Sequence, residues 1–263
     1  MGRSIHFYAL TAAALVILLF PQLFSEGMFM DGIIYASIAK NLANGEGTNW
    51  FPYFSDTQFL PFHEHPPLAI ILQSFFFKLF GGSIYVERVY NLLMVLVTMG
   101  CIHGIWKIVF PAKSYLSWVP MILWISIPVV FWAYANNILE NTMGIFVLGA
   151  VWASLYASIN RRNMWYVAAG ICIGLAFLCK GFTGLFPLVT PFFYWTIVEI
   201  KWKKAVVSSF LVFASMLAIW GLIYIVEPDS WESILAYFQI QVKTSLESVQ
   251  TVDRRTVIVE RLL

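Results

Sequence analysis

Apolar runs long enough to cross a bilayer recur along this chain, separated by short polar stretches. A membrane-spanning helix needs about 20 mostly apolar residues. On that rule the pattern predicts spans at residues 7–24, 86–110, 115–136, 141–159, 164–180, 183–200 and 205–226. The first run is longer than a leader's apolar core, and no small-residue cleavage site follows it in FPQLFSEG, so it reads as an anchor. Gly170 and Gly174 form a GxxxG pair, the spacing that lets two membrane helices approach closely. No repeat, linker or low-complexity tract divides the chain, so residues 1–263 read as one all-α transmembrane module.

Between the first two spans the period changes. From Asp31 to Leu42, DGIIYASIAKNL places Asp31, Tyr35, Ile38 and Leu42 on one helical face and Lys40 and Asn44 opposite. The glycine-rich NGEG ends that helix. Residues 67–80, PLAIILQSFFFKLF, are too short to span with ease and begin with proline, which suits a helix start. They are expected as an interfacial or partly inserted helix. After the last span, SWESILAYFQIQVKTSLESVQ reads as another interfacial segment, and DRRTVIVERLL as the approach to a further span, so the chain is expected to stop before more helices.

Composition agrees with the pattern: 60% of the 263 residues are hydrophobic, 11% are charged, and the mean hydropathy is +0.77. That excess of apolar residues points to the bilayer as solvent. A net charge of +2 gives no case for nucleic acid. Cys101, Cys172 and Cys179 lie within apolar runs without metal-like spacing and are expected to pack rather than pair.

The placing of the charges matters more than their sum. Arg3, Lys107, Lys113, Arg161, Arg162, Lys201, Lys203 and Lys204 all fall on one side if there are seven spans. Lysine and arginine favour cytoplasmic loops, so the N-terminus is expected in the cytoplasm. Glu26, Asp31, Asp56, His63, Glu64, His65, Glu87, Arg88, Glu140, Lys180, Glu227, Asp229 and Glu232 collect on the other side. A polar site is therefore expected on the extracytoplasmic face of a cytoplasmic (inner) membrane.

Several of these residues are candidates for chemistry. Asp31 is either an N-cap or a carboxylate held at the water–bilayer boundary to accept a proton. No Glu or Gln three residues later completes a capping box. In FHEHPPL, His65 precedes proline and is expected to be extended. If His63 is extended too, the two histidines share a side, and with Asp31 they could hold a divalent metal; polar residues on a wet loop are the commoner outcome. Lys180 is a lone cation in GLAFLCKGFTGLFP, where it either marks a site or snorkels to the interface. Arg88 lies at the mouth of the second span and either meets a lipid phosphate or pairs with Glu87 or Glu140. His103, within a span, is expected to be a hydrogen-bonded interior histidine.

Taken in order, Asp31-x-x-x-Tyr35-Ala36, HEHPPL, KLFGGSIYVER, ILENTMGIF and GLAFLCKGFTGLFP resemble the GT-C fold glycosyltransferases that use polyprenyl-phosphate sugars. These include protein O-mannosyltransferases and lipid A aminoarabinose transferases. The resemblance implies a membrane transferase that moves a sugar from a polyprenyl-phosphate donor to a lipid, glycan or protein acceptor, with no cofactor required. It makes Asp31 the catalytic carboxylate, and Lys180, Arg88 and His65 the binders of donor phosphate. Glu64, Glu140 and Tyr35 become substrate contacts. Many members carry Asp-Glu where this chain has Asp31-Gly32, and His65 stands where the aminoarabinose branch has lysine. A non-catalytic carrier-binding or transport protein with a degenerate module is the alternative.

Overall fold

The computed structural model describes residues 2–25, 27–58 and 60–244, with side chains from Ile5 onward. Glu26 and the expected approach to a further span lie outside the described residues. Helices dominate: α1 (Gly2–Leu23), α2 (Met30–Asn44), α3 (Leu68–Phe80), α4 (Val86–Val109), α5 (Trp118–Ile125) and α6 (Pro128–Ala135). They are followed by α7 (Glu140–Asn160), α8 (Met164–Lys180), α9 (Thr190–Phe193), α10 (Trp202–Val226) and α11 (Asp229–Tyr237).

Among the described residues, five helices qualify by length and apolarity as membrane spans, and a sixth if α5 and α6 are taken together. The protein is thus an integral membrane protein. The count of seven expected from the sequence is not reached on that measure, for two local reasons. The third expected span is broken: α5 and α6 meet at 72°. Pro128 starts α6, and with no N–H to donate it cannot continue the ladder of α5. The sixth expected span is not a regular helix. Residues Gly181–Val189 form 3-10 turns, Thr190–Phe193 a single α turn, and Tyr194–Val198 a π turn. Pro187 and Pro191 remove two backbone donors from this stretch.

Met164 to Val198 passes as one apolar run of 35 residues, yet the chain reverses inside it. Gly184 packs onto the backbone of Ala176 and Phe177, and Thr183 Oγ1 reaches Met143 Sδ at 3.4 Å. Further on, Glu199 bonds Arg161, at the far end of α7, at 2.8 Å. The segment after Lys180 therefore runs back alongside α8.

The centre of the bundle is built on small residues. Ala150, Ala153 and Ala157 of α7 face Ala169 and Ile173 of α8, with Val212 and Met216 of α10 behind. Gly170 and Gly174 act as the spacing suggests. A Cβ at Gly170 would strike the Val212 carbonyl, and Trp220 Nε1 bonds the Gly174 carbonyl at 3.1 Å. Between membrane helices, packing and hydrogen bonds of this kind supply the attraction, since lipid is as apolar as leucine.

The two interfacial helices form as expected and cap one end of the bundle. α2 buries Tyr35, Ile38, Ala39 and Leu42 against Ala69, Ile70 and Phe77 of α3, with Phe62 between them. Ile38 and Ile70 are fully buried and Phe62 is 1% exposed. Removing a side chain of this size from water is worth about 1.5–3 kcal/mol, so the packing of these helices on each other holds the loop. His103 Nδ1 bonds Ser117 at 2.7 Å, the interior histidine the sequence suggested.

Candidate active site

Helix ends bring the charges together. Asp31 sits in the first turn of α2, Glu140 in the first turn of α7, and Lys180 is the last residue of α8. Each charge lies where the helix dipole favours its sign. Asp31 is not the N-cap: Phe29 holds that position, and its backbone N–H donates to Asn136 Oδ1 at 2.6 Å. The capping oxygen comes from a distant helix end, which leaves the Asp31 carboxylate free of that duty.

Asn136 and Asn137 pin this turn. Asn137 Nδ2 donates to the Gly32 carbonyl at 3.1 Å, and Asn137 Oδ1 accepts from Gln73 at 2.6 Å and Asn91 at 2.7 Å. Asn91 in turn accepts from Asn141 at 2.7 Å. One buried amide network therefore ties α2, α3, α4 and α7 at the base of the Asp31 turn. Gly32 is part of that packing, because a Cβ there would run into the Asn136 carbonyl. A second carboxylate beside Asp31 is excluded by shape.

Lys180 Nζ forms an ion pair with Glu140 Oε1. His65 lies against this pair: burial first, and then the Lys180 charge, lowers its pKa to about 4, with Glu140 opposing. That direction favours the neutral imidazole, which can meet a phosphate through a ring N–H rather than through a charge. Its ring meets Tyr35 edge-on at 6.0 Å and Phe62 at 6.4 Å. Tyr35 is 5% exposed; burial, then Asp31, Glu140 and Glu64, pushes its phenol up. Glu64 is pushed up by burial and by Asp31. Asp31, Tyr35, Glu64, His65, Glu140 and Lys180 thus feel one another's fields. Two buried polar atoms in this group, His65 Nδ1 and Glu140 Oε2, have no hydrogen-bond partner. Buried polar atoms without partners are rare enough to require a reason.

Arg88 is placed differently. Its guanidinium donates to the Ala135 carbonyl at 2.5 Å and the Gly27 carbonyl at 2.6 Å, and lies 3.8 Å from Glu87. It is 8% exposed and does not join the Lys180 group. With Lys40 it lines a cavity of about 550 Å³ on the other face of α2. His63 also leaves the group. It packs edge-on to Phe51 at 5.5 Å and meets Ser233 at 3.4 Å, and burial lowers its pKa. The two histidines do not share a side. Among the described residues no three His, Cys, Asp or Glu side chains gather as metal ligands do.

An apolar groove of about 750 Å³ is lined by Phe177, Phe182, Leu185, Met216, Trp220 and Phe238 among others. Phe177 and Phe182 lie within three residues of Lys180 along the chain, but neither Lys180 nor Glu140 lines the groove.

A polytopic bundle of this shape, with interfacial helices over one polar end, is the fold of known membrane glycosyltransferases. It superposes on ArnT from Cupriavidus metallidurans in the apo state with a TM-score of 0.65, at 18% identity over 90% of this chain and 47% of that one. The same protein bound to undecaprenyl phosphate gives 0.60 at 17% identity, over 87% of this chain and 42% of that one. An archaeal oligosaccharyltransferase, AglB from Archaeoglobus fulgidus, gives 0.60 at 13% identity, over 98% of this chain and 36% of that one. In sequence, residues 64–232 match the family described as dolichyl-phosphate-mannose-protein mannosyltransferase, and the chain belongs to that family. Asp31 precedes the matched residues. The undecaprenyl phosphate-alpha-4-amino-4-deoxy-L-arabinose arabinosyl transferase of Wigglesworthia glossinidia brevipalpis is 24% identical over 215 residues, 77% of this chain and 36% of that relative. The chain thus spans less than half the length of these relatives.

Proposed function

We propose that this chain is the catalytic transmembrane module of a glycosyltransferase that takes a sugar from a polyprenyl-phosphate donor. The observation that carries the reading is the Lys180–Glu140 pair, whose carboxylate acts with Asp31 on Tyr35, together with an apolar groove lined in part by Phe177 and Leu178 near the same end of α8. The groove takes the polyprenyl tail and Lys180 the phosphate. The acceptor oxygen attacks the anomeric carbon, the bond to phosphate breaks, and polyprenyl phosphate leaves. Asp31 orients the acceptor and takes its proton. Lys180 meets the charge that develops on the leaving phosphate, in a site where water no longer screens it. Neutral His65 offers a ring N–H or a lone pair rather than a charge. Glu64 and the free oxygen of Glu140 accept from sugar hydroxyls, and no step is assigned to a metal. The acceptor is a lipid, a glycan or a protein. The acidic end faces away from the cytoplasm and the basic end into it, in the inner membrane, as the distribution of Lys and Arg favours.

Full-length protein incubated with labelled polyprenyl-phosphate sugars and membrane extract should yield a labelled product. Asp31→Asn should lower transfer by roughly 100- to 10,000-fold while the variant inserts and melts normally. Near-normal turnover by that variant would remove Asp31 from the chemistry.

A further inference from the structure

The opposite end of the bundle holds a second built site, independent of the transfer reading. Arg161, at the C-terminal cap of α7, lays its guanidinium over the Trp195 indole, 4.4 Å from the ring centroid. Lys204 approaches the same ring at 4.8 Å and Lys201 at 6.0 Å. Trp195 is 3% exposed, and its Nε1 donates to Tyr166 at 2.7 Å, so the platform under the cations is rigid.

Charge there is unbalanced. Glu199 accepts from Arg161 at 2.8 Å and from Lys201 at 2.7 Å, using both of its oxygens. Among the described residues no carboxylate pairs with Lys203 or Lys204. These two lysines, with Arg161, Asn163, Tyr166 and Trp195, line a recess of about 350 Å³. The chain is bent to make it: Arg161 and Ile200 both have positive φ, 57° and 52°, a conformation unwelcome to a β-branched side chain. Cations that serve only to orient a membrane protein need to lie near a span's end. They need neither a recess nor a shared aromatic floor. The rim next to the cations is apolar and open, with Val198 65% and Val207 57% exposed.

We propose that this recess binds the headgroup of an anionic phospholipid. The phosphodiester meets Lys203, Lys204 and Arg161, and the acyl chains run down the exposed apolar face of α10. A basic recess beside lipid-facing helices suits an amphiphile better than a free anion, because only an amphiphile uses both surfaces.

Native mass spectrometry of the purified full chain, titrated with phosphatidylglycerol, phosphatidylcholine or glycerol phosphate, tests this without any transfer assay. Phosphatidylglycerol should be retained in preference to phosphatidylcholine, and glycerol phosphate should not displace it. Lys203→Gln with Lys204→Gln should weaken retention by roughly 30-fold, from about 1 kcal/mol per lysine near a headgroup. If the double variant does not fold, Lys203→Gln alone should weaken it by roughly 5-fold. Lys107→Gln with Lys113→Gln, at the same end but outside the recess, should leave it unchanged. Equal retention of the two lipids overturns the proposal, as does an equal loss in both double variants. Full displacement by glycerol phosphate would make it a free-anion site and overturn the lipid assignment.

Discussion

Arg88 and Lys180 are two half-hidden cations at the same end of the same bundle, and they do different work. Arg88 spends its fork on the carbonyls of Ala135 and Gly27, tying the end of α6 to the start of α2. Lys180 has one carboxylate partner, and that partner keeps a second, unbonded oxygen. A guanidinium bonded to several carbonyls is fixed, since moving it strands buried acceptors. An ammonium in a single ion pair can exchange its partner for a phosphate. The ranking of cations as ligand groups therefore depends on what else they hold, not on how deep they lie.

Four substitutions would break or sharpen that contrast. Lys180→Gln should cost the most activity, roughly 100- to 1,000-fold in transfer, with little change in melting temperature. An active variant would end the assignment of the leaving phosphate to Lys180. Arg88→Gln should act through stability instead, costing about 3 kcal/mol or more, because buried carbonyls lose a charged donor. Thermal melts in detergent would show it. A stable Arg88→Gln that fails to bind donor would return the guanidinium to the site. Gly32→Ala should cost about 1–3 kcal/mol through the clash with Asn136, and melts of that variant would read it. Installing a carboxylate at 32 should lose activity rather than add any.

The smallest effect concerns pH. The His65 pKa falls to about 4 in the folded protein, against an ordinary value of 6.5. Between those two values the unfolded chain binds the proton that the folded chain refuses, so stability falls as pH drops from about 6.5 toward 4. His65→Asn should flatten that part of the melting-temperature profile. An unchanged slope would mean that His65 takes up its proton in the fold as readily as outside it.

Lone charges in apolar text were legible. Lys180 stood out because an ionisable group in an apolar stretch needs a reason, Glu140 gained its role only through the family resemblance, and α2 and α3 followed from their periodicity and their glycine and proline boundaries. The Lys180–Glu140 pair itself was hidden, since its members are 40 residues apart and no local pattern links them. The Arg88–Glu87 pair was one of the partners the sequence offered, but the carbonyls of Ala135 and Gly27 were not, since backbone acceptors leave no trace in sequence. The stretch 183–200 looked like a plain span because hydropathy registers Pro187 and Pro191 only weakly, although both disrupt a helix. Asn136 and Asn137 carried one overlooked signal, a doublet of amides just before Glu140 at the end of an apolar run. A buried amide such as Asn137 must find partners, and the doublet's partners include the backbone of Phe29 and Gly32 beside Asp31.

That last linkage has a mechanical side. Asn136 follows directly on α6, the second half of the broken span, and grips the turn that carries Asp31. The turn that carries the carboxylate is thus braced by the end of a half-helix. The aim of the group proposed to take the proton therefore depends on side chains 105 and 107 positions away from the backbone groups they hold.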